Sequence, residues 1–268
     1  MNQEQQLVMD LFQCSLLKKE KYQQLESWVG RVDKRVCLEI GSNNGAVSYL
    51  LRQLGGHWHS ADLESKMVES IRRMVGDRVC QIDGCHLPFD DGAIDLVVIV
   101  DFLEHIADDH GFLEEVKRVL KPSGRLLVNV PNLVKGSILD KIRPRLGLTD
   151  ERHGHVRHGY SLEGLSEILR QHGFGVLKGH TYSGTFAESI DTLLGFLYLK
   201  KQQTKPAPPV TSAKGVVLDQ ADLQTLKKEL KLYRLVYPLF FLVSRLDLLR
   251  GRQQGYKLIM EAQAPLVS

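Results

Sequence analysis

The chain has 268 residues, 43% apolar and 25% charged, with a formal net charge of +3. This suits one large α/β domain, or a domain plus an insertion, with a core that needs no metal or disulfide staples. The small charge gives no ground for nucleic-acid binding, and the four cysteines (Cys14, Cys37, Cys80, Cys85) lack paired metal-ligand spacing.

In chain order, Leu7, Leu11, Leu16, Leu17, Leu25 and Trp28 recur at roughly helical spacing and predict one helix over 4–29. Strands and helices then alternate. VCLEI (36–40) predicts a strand, 45–54 a helix, HWHSAD (57–62) a strand, 64–75 a helix and RVCQI (78–82) a short strand. IDLVVIV (94–100) is a nearly unbroken apolar run, as expected of a parallel strand covered on both faces. A helix over 109–120 is stopped by Pro122 and Gly124, and RLLVNV (125–130) is a strand. Ser161 caps a helix reaching His172, with Glu163 in its first turn, and 174–182 is a strand. This βαβα order predicts a Rossmann-like, doubly wound, mostly parallel sheet.

The last part breaks the rhythm. Residues 185–200 read as an apolar helix, 201–214 as a mobile Pro- and Lys-containing linker, and 219–250 as a long helix interrupted by Pro238. GYKLIMEA (255–262) alternates like a final strand. The expected organisation is an N-terminal helix (1–30), a domain made of 31–183 and 253–268, and a helical insertion (184–252) with a flexible linker near 201–215.

A glycine-rich turn between a strand and a helix brings backbone N–H groups close to a ligand. Here the turn reads E-x-G-x-N-x-G, from Glu39 to Gly45, and Asn43 stands where a dinucleotide loop would have a glycine. Asparagine tolerates left-handed dihedrals better than most residues. Asp62 closes the second strand, 23 residues after Glu39, where a carboxylate can accept both hydroxyls of a ribose.

Downstream, QIDGCHLPFDDGAIDLVVIVDFLEHI resembles a stretch of class I S-adenosylmethionine-dependent methyltransferases, D-A-x-x-L-P-F-x-D-x-x-F-D-x-V followed by L-E-H. With LEIGSNNG, SADLE and GRLLVNVPN, the resemblance covers roughly 30–182 and the final strand. It implies a seven-stranded sheet with the last strand antiparallel, and S-adenosyl-L-methionine as cofactor. By this resemblance Glu39 helps hold the methionine amino group, while Gly41, Ser42, Asn43 and Gly45 wrap the methionine part. Asp62 takes the ribose hydroxyls and Leu63 lines the adenine. Asp83 accepts from the adenine amine beside the Gly84 backbone, and Asp101 and Phe102 face the sulfonium end.

Methyl transfer to a hydroxyl also needs a proton acceptor. His105, in LEHI, is at the active-site mouth in that family. The loop HGHVRHGYS (153–161) adds His153, His155, Arg157, His158 and Tyr160 at the carboxyl ends of the strands, where ligands bind in such sheets. The candidate catalytic residues are therefore His105, His155 and His158. Local hydrogen bonding that merely holds the loop is the plainer role for each. A metal on His153, His155 and His158 lacks an evident carboxylate partner, so no metal is expected. Arg157 suits either an anionic acceptor or an ion pair with Asp150 or Glu151.

Residues 200–252 hold eleven Lys and Arg against four Asp and Glu, and LVYPLFFLVS (235–244) carries no charge. That run is too short to span a bilayer. Over 219–250 it suits either a core or dimer contact, or a peripheral contact with an anionic membrane. The expected function is O-methylation of a small molecule, sugar or lipid-linked glycan. A quinone or polyketide methyltransferase and a non-catalytic cofactor-binding relative are the alternatives. The expected partners are a small-molecule or glycolipid acceptor and no nucleic acid, with room for an oligomer. The start MNQEQQLVMD lacks a basic segment followed by an apolar core, so a cytoplasmic protein is expected, with the inner membrane face as a second location.

Overall fold

The computed structural model describes residues 1–134, 136–150, 154–203, 220–250 and 254–266. Seven strands form one sheet: β1 (Val36–Ile40), β2 (His57–Asp62), β3 (Val79–Gln81), β4 (Ile94–Val100), β5 (Leu120–Pro131), β6 (Gly175–Tyr182) and β7 (Lys257–Gln263). Their order is β3-β2-β1-β4-β5-β7-β6, and β7 alone runs antiparallel to its neighbours. This is the doubly wound, mostly parallel sheet expected, with its last strand reversed. The order turns around between β1 and β4, so a crevice opens above the carboxyl ends of those strands.

Strand side chains alternate between two cores, one on each sheet face. Leu38, Val97, Ile99, Leu126 and Val128 pack with Phe112 and Val116 of α5 (Asp109–Val119) and with Leu165 and Leu169 of α7 (Leu162–Gln171). Cys37, Leu96, Val98, Val100 and Leu127 pack on the other face. They meet Phe12 of α1 (Gln3–Gln13), Leu25 and Val29 of α2 (Leu16–Val29), Val47 and Leu51 of α3 (Ala46–Arg52) and Met74 of α4 (Ser65–Val75). The apolar run of β4 is thus shared between both cores, residue by residue. Ser161 caps α7 as expected, its Oγ accepting from the Gly164 N–H at 3.0 Å.

Three sequence expectations need correction. The N-terminal segment is two helices. The Ser15 side chain accepts from the Lys18 N–H and starts α2 anew after α1 ends at Gln13. Apolar spacing carries across that break, but a serine hydroxyl offers the backbone an alternative partner. The expected strand over 125–130 begins earlier, at Leu120, with irregular pairing between Ile94 and Leu96. Pro238 does not interrupt its helix: α9 (Gln220–Ser244) runs through it and is followed by a 3-10 segment, Arg245–Arg250.

The helix begun at Thr185, α8 (Thr185–Gln203), takes in residues 201–203 of the expected linker, and the remainder of that linker lies outside the described residues. A short helix, α6 (Ile138–Ile142), had no signal in the apolar pattern. In the tail, α8 packs on α2, and α9 packs on α8 and α1. The Asp247 carboxylate accepts from the N–H groups of Phe186 (2.9 Å) and Ala187 (3.0 Å), capping α8 from sixty residues away. Arg234 pairs with Asp10 at 2.8 Å.

Candidate active site

The loop after β1 is built on three left-handed residues: Gly41 (φ +93°), Asn43 (φ +63°) and Gly45 (φ +80°). A Cβ on Gly41 would stand 2.4 Å from the Val100 carbonyl oxygen, and one on Gly45 would stand 2.9 Å from the Ile71 Cα. Both glycines are therefore demanded by close packing as well as by dihedral angle. Asn43 takes the left-handed conformation in the slot where a dinucleotide loop has its middle glycine.

Beneath the loop lies Glu39, fully buried. The Ser48 hydroxyl donates to Glu39 Oε2 at 2.7 Å, and Ser48 in turn bonds to Ser42 of the loop. Burial pushes the Glu39 carboxyl up to about 7, against the opposing help of Ser48, Ser60, Arg52 and Ser42. Glu39 thus supports the loop from below and is not on the cleft wall.

The cleft encloses about 270 Å³ above the strand ends. The strand order fixes the order of its wall. Asp62 and Leu63 follow from β2, Gly41, Ser42 and Asn43 from β1, and Asp101 and Phe102 from β4. Pro131 follows from β5 and Lys257 opens β7. Asp62 is 8% exposed and accepts from the Glu64 N–H at 3.3 Å. Asp101 holds φ +45°, an uncommon value for a non-glycine residue, and pairs with both Lys21 and Lys257. Asp83 and Gly84 stand on the loop after β3, off the cleft wall. The Cys85 and His86 N–H groups donate to Asp83 Oδ1 at 2.8 and 2.9 Å and hold that carboxyl below the usual range.

The far wall comes from the 3-10 turn Leu103–His105 and from the loop 154–160. Several bonds clamp the two together. His105 Nδ1 donates to the Gly154 carbonyl at 2.7 Å, and the Val156 N–H donates to the Glu104 carbonyl at 2.9 Å. Arg157 pairs with the buried Asp109 and donates to the Ile106 and Ala107 carbonyls, each at 2.9 Å. Its partner is thus Asp109 and not Asp150, and Glu151 lies outside the described residues. The Tyr160 hydroxyl donates to Asp109 at 2.7 Å.

His105 and His155 both line the cleft, with ring centroids 4.8 Å apart. His158 does not: it faces Asp150 at 2.8 Å and Asp140 at 3.5 Å. His153 lies outside the described residues. The structure adds wall residues that sequence reasoning missed, namely Glu104, Lys18 and Lys21 of α2, and Lys257. The two α2 lysines gave no signal because a lysine on an amphipathic helix reads as a solvated face.

Residues 38–128 match a family described as a methyltransferase domain. A demethylmenaquinone methyltransferase of Clavibacter sepedonicus is 35% identical over 95 residues, 34% of this chain and 39% of that protein. A ubiquinone/menaquinone biosynthesis C-methyltransferase of Idiomarina loihiensis is 29% identical over 150 residues, 47% of this chain and 60% of that protein. An S-adenosylmethionine-dependent methyltransferase from Mesorhizobium loti has the same fold, with a TM-score of 0.55 at 15% identity over 90% of this chain and 95% of that one. Phosphoethanolamine N-methyltransferase 2 of Haemonchus contortus, solved with S-adenosyl-L-methionine, gives 0.55 at 19% identity, covering 92% of this chain and 52% of that one.

Fold and cleft together define a class I methyltransferase domain. Residues 38–128 carry the sequence match to that domain, and the remainder of the sheet completes its fold. It spans about two fifths of the length of the first curated relatives it matches. The cradle fits S-adenosylmethionine: the packed glycines bring loop backbone to the cleft, and the buried Asp62 carboxylate stands one strand away on the cleft wall. Among the described residues no helix is long and apolar enough to cross a membrane.

Proposed function

We propose that the chain transfers the methyl group of S-adenosylmethionine to an oxygen of a small acceptor, one carried on a lipid or sugar. The observation that carries this is the continuity of one cleft from the glycine loop to the paired imidazoles of His105 and His155. Gly41, Ser42 and Asn43 would hold the methionine part, with Gly45 shaping the loop and Glu39 supporting it. Asp62 would take the ribose hydroxyls and Leu63 the adenine face, with Asp83 and Gly84 at its edge. Asp101 and Phe102 would stand at the methionine end, where an acid suits a cationic ligand.

The cofactor supplies an electrophilic methyl group on a sulfonium. The acceptor hydroxyl loses its proton on the His105 and His155 side. Its lone pair forms the O–C bond as the C–S bond breaks, and that pair stays on sulfur. The wall aligns the acceptor for this in-line displacement.

The lipid part of the reading rests on α9. Leu235, Leu239 and Leu242 are 77%, 61% and 65% exposed and recur along one helical face. Arg234 and Arg245 flank them, which suits an anionic membrane surface at the cytoplasmic side. A second reading, C-methylation of a quinone-like ring, is favoured by the activities named for the two curated relatives. Those matches cover under half of this chain, and the family match ends at residue 128, before the 154–160 loop.

The test uses methyl-labelled S-adenosylmethionine and cell extract split into lipid, soluble, RNA and protein fractions, with Asp62→Ala as control. Label is expected in the lipid fraction as an alkali-stable methyl ether. A ring C-methyl product would favour the second reading, and label in RNA or protein would overturn both.

A further inference from the structure

We propose that Glu104, His105 and His155 form a divalent-cation site on the acceptor wall of the cleft. The inference rests on the reading of that cleft as the methyl-transfer site and says how an acceptor oxygen is activated there.

Each of the three residues offers one ligand atom, and these atoms all lie within 4.8 Å of one another. Glu104 Oε1 and His105 Nε2 are 3.9 Å apart. Ligands at about 2.0–2.2 Å from a tetrahedral ion stand roughly 3.4 Å from one another, so the widest pair must close by up to about 1.4 Å.

Exposed acids often gather without binding an ion, but this carboxylate is 1% exposed. The two histidine side chains are 10% and 17% exposed. The loop holding His155 is fastened to the turn holding Glu104 and His105 by the two hydrogen bonds described above, one from the His105 ring and one between backbones. The fold therefore builds this convergence from segments fifty residues apart. The bond from His105 Nδ1–H to the Gly154 carbonyl also selects the tautomer. It turns Nε2 toward the Glu104 carboxylate. Metal-ligating histidines are commonly oriented by such a second bond.

The neighbouring ammonium groups do not forbid a cation. Lys21 and Lys257 both turn to Asp101, which balances part of their charge. Two imidazoles and one carboxylate suit Zn²⁺ or Mn²⁺ better than Ca²⁺ or Mg²⁺, which favour all-oxygen sets. Three protein ligands leave a position open to the cleft. A hydroxyl there loses its proton to solvent near neutral pH, because the cation lowers its pKa.

The loop histidines alone pointed to no such site, for want of a carboxylate. The structure supplies one from the 3-10 turn after β4, together with His105, while His158 turns away to Asp150 and Asp140.

The test is titration of untagged, metal-stripped protein with Zn²⁺ and with Co²⁺, read by calorimetry and by the visible absorption of Co²⁺. One equivalent is expected, bound at least tenfold more weakly by Glu104→Gln and His155→Ala and unchanged in His158→Ala. S-adenosylmethionine affinity is measured on the same proteins and is expected to be unaltered. Binding well below one equivalent, equal binding by all variants, or a loss in His158→Ala would each overturn the site. Failure of the wild type to bind the cofactor would sink the methyltransferase reading, and the cation titration would still read out separately.

Discussion

At the scale of single residues, Asp62 and Glu39 show two different uses of a carboxylate. Asp62 faces the cleft at 8% exposure, and its removal leaves the folding core alone. Asp62→Ala should weaken S-adenosylmethionine binding roughly 10- to 100-fold, the worth of hydrogen bonds to a charged group. Unchanged affinity by calorimetry would show that β2 does not deliver the ribose contact. Glu39 is tested by pH. Its carboxyl sits near 7 in the folded chain against an ordinary 4.5, so the unfolded chain gives up this proton first. Its contribution to stability is full below about 4.5 and falls as pH rises to about 7, by roughly 3 kcal/mol. Glu39→Gln should remove that slope in urea melts of the cofactor-free protein at pH 5 and pH 7.5. A wild-type difference no larger than the variant's would mean the folded site accepts the charged form. The sequence marked both acids and also allowed Asn43 its left-handed turn, because these are local demands of one strand–loop–helix unit. It could not tell which acid faces the cleft.

At the scale of elements, Arg157 makes the most bonds among the ties that hold the 154–160 loop. Arg157 spans from Asp109 at the start of α5 to two carbonyls after the 3-10 turn. Breaking a buried pair costs about 3 kcal/mol or more when it strands the other charge. Arg157 is only partly covered and Tyr160 remains on Asp109, so Arg157→Ala should cost less, about 2 kcal/mol. In a chain of this size that lowers the melting temperature by roughly 4–8 °C. Activity should fall further than stability does, because the loop carries His155. An unaltered Tm would show that the loop stands without Arg157. The sequence drew attention to Arg157 and offered its near neighbour Asp150, whereas the structure gives it Asp109, 48 residues away in the chain. The break at Ser15 was missed for a related reason: apolar spacing describes a face, and two helices can share one.

At the scale of the whole molecule, the N-terminal helices and the inserted helices cover the same side of the sheet. Among them α9 carries the exposed leucine stripe. Leu239→Ser with Leu242→Ser should leave the fold intact, since both side chains are mostly exposed. Binding to vesicles containing anionic lipid, read by sedimentation, should drop several-fold. Unchanged vesicle binding with a shift in oligomeric state would assign the stripe to a second copy of the chain.

What the sequence determined by itself is the sheet and the wall residues that end β1, β2 and β4. Strand and helix periodicity, the glycine turn and the acids after each strand are short-range patterns, and the strand–helix–strand unit converts them directly into position. What only tertiary structure decided is the acceptor half. Glu104, His105 and His155 converge there, and Lys18 and Lys257 join the wall from the two ends of the chain. The reason is physical: those contacts are made between segments whose separation is set by loop closure and packing, and no periodicity along the chain encodes such a distance.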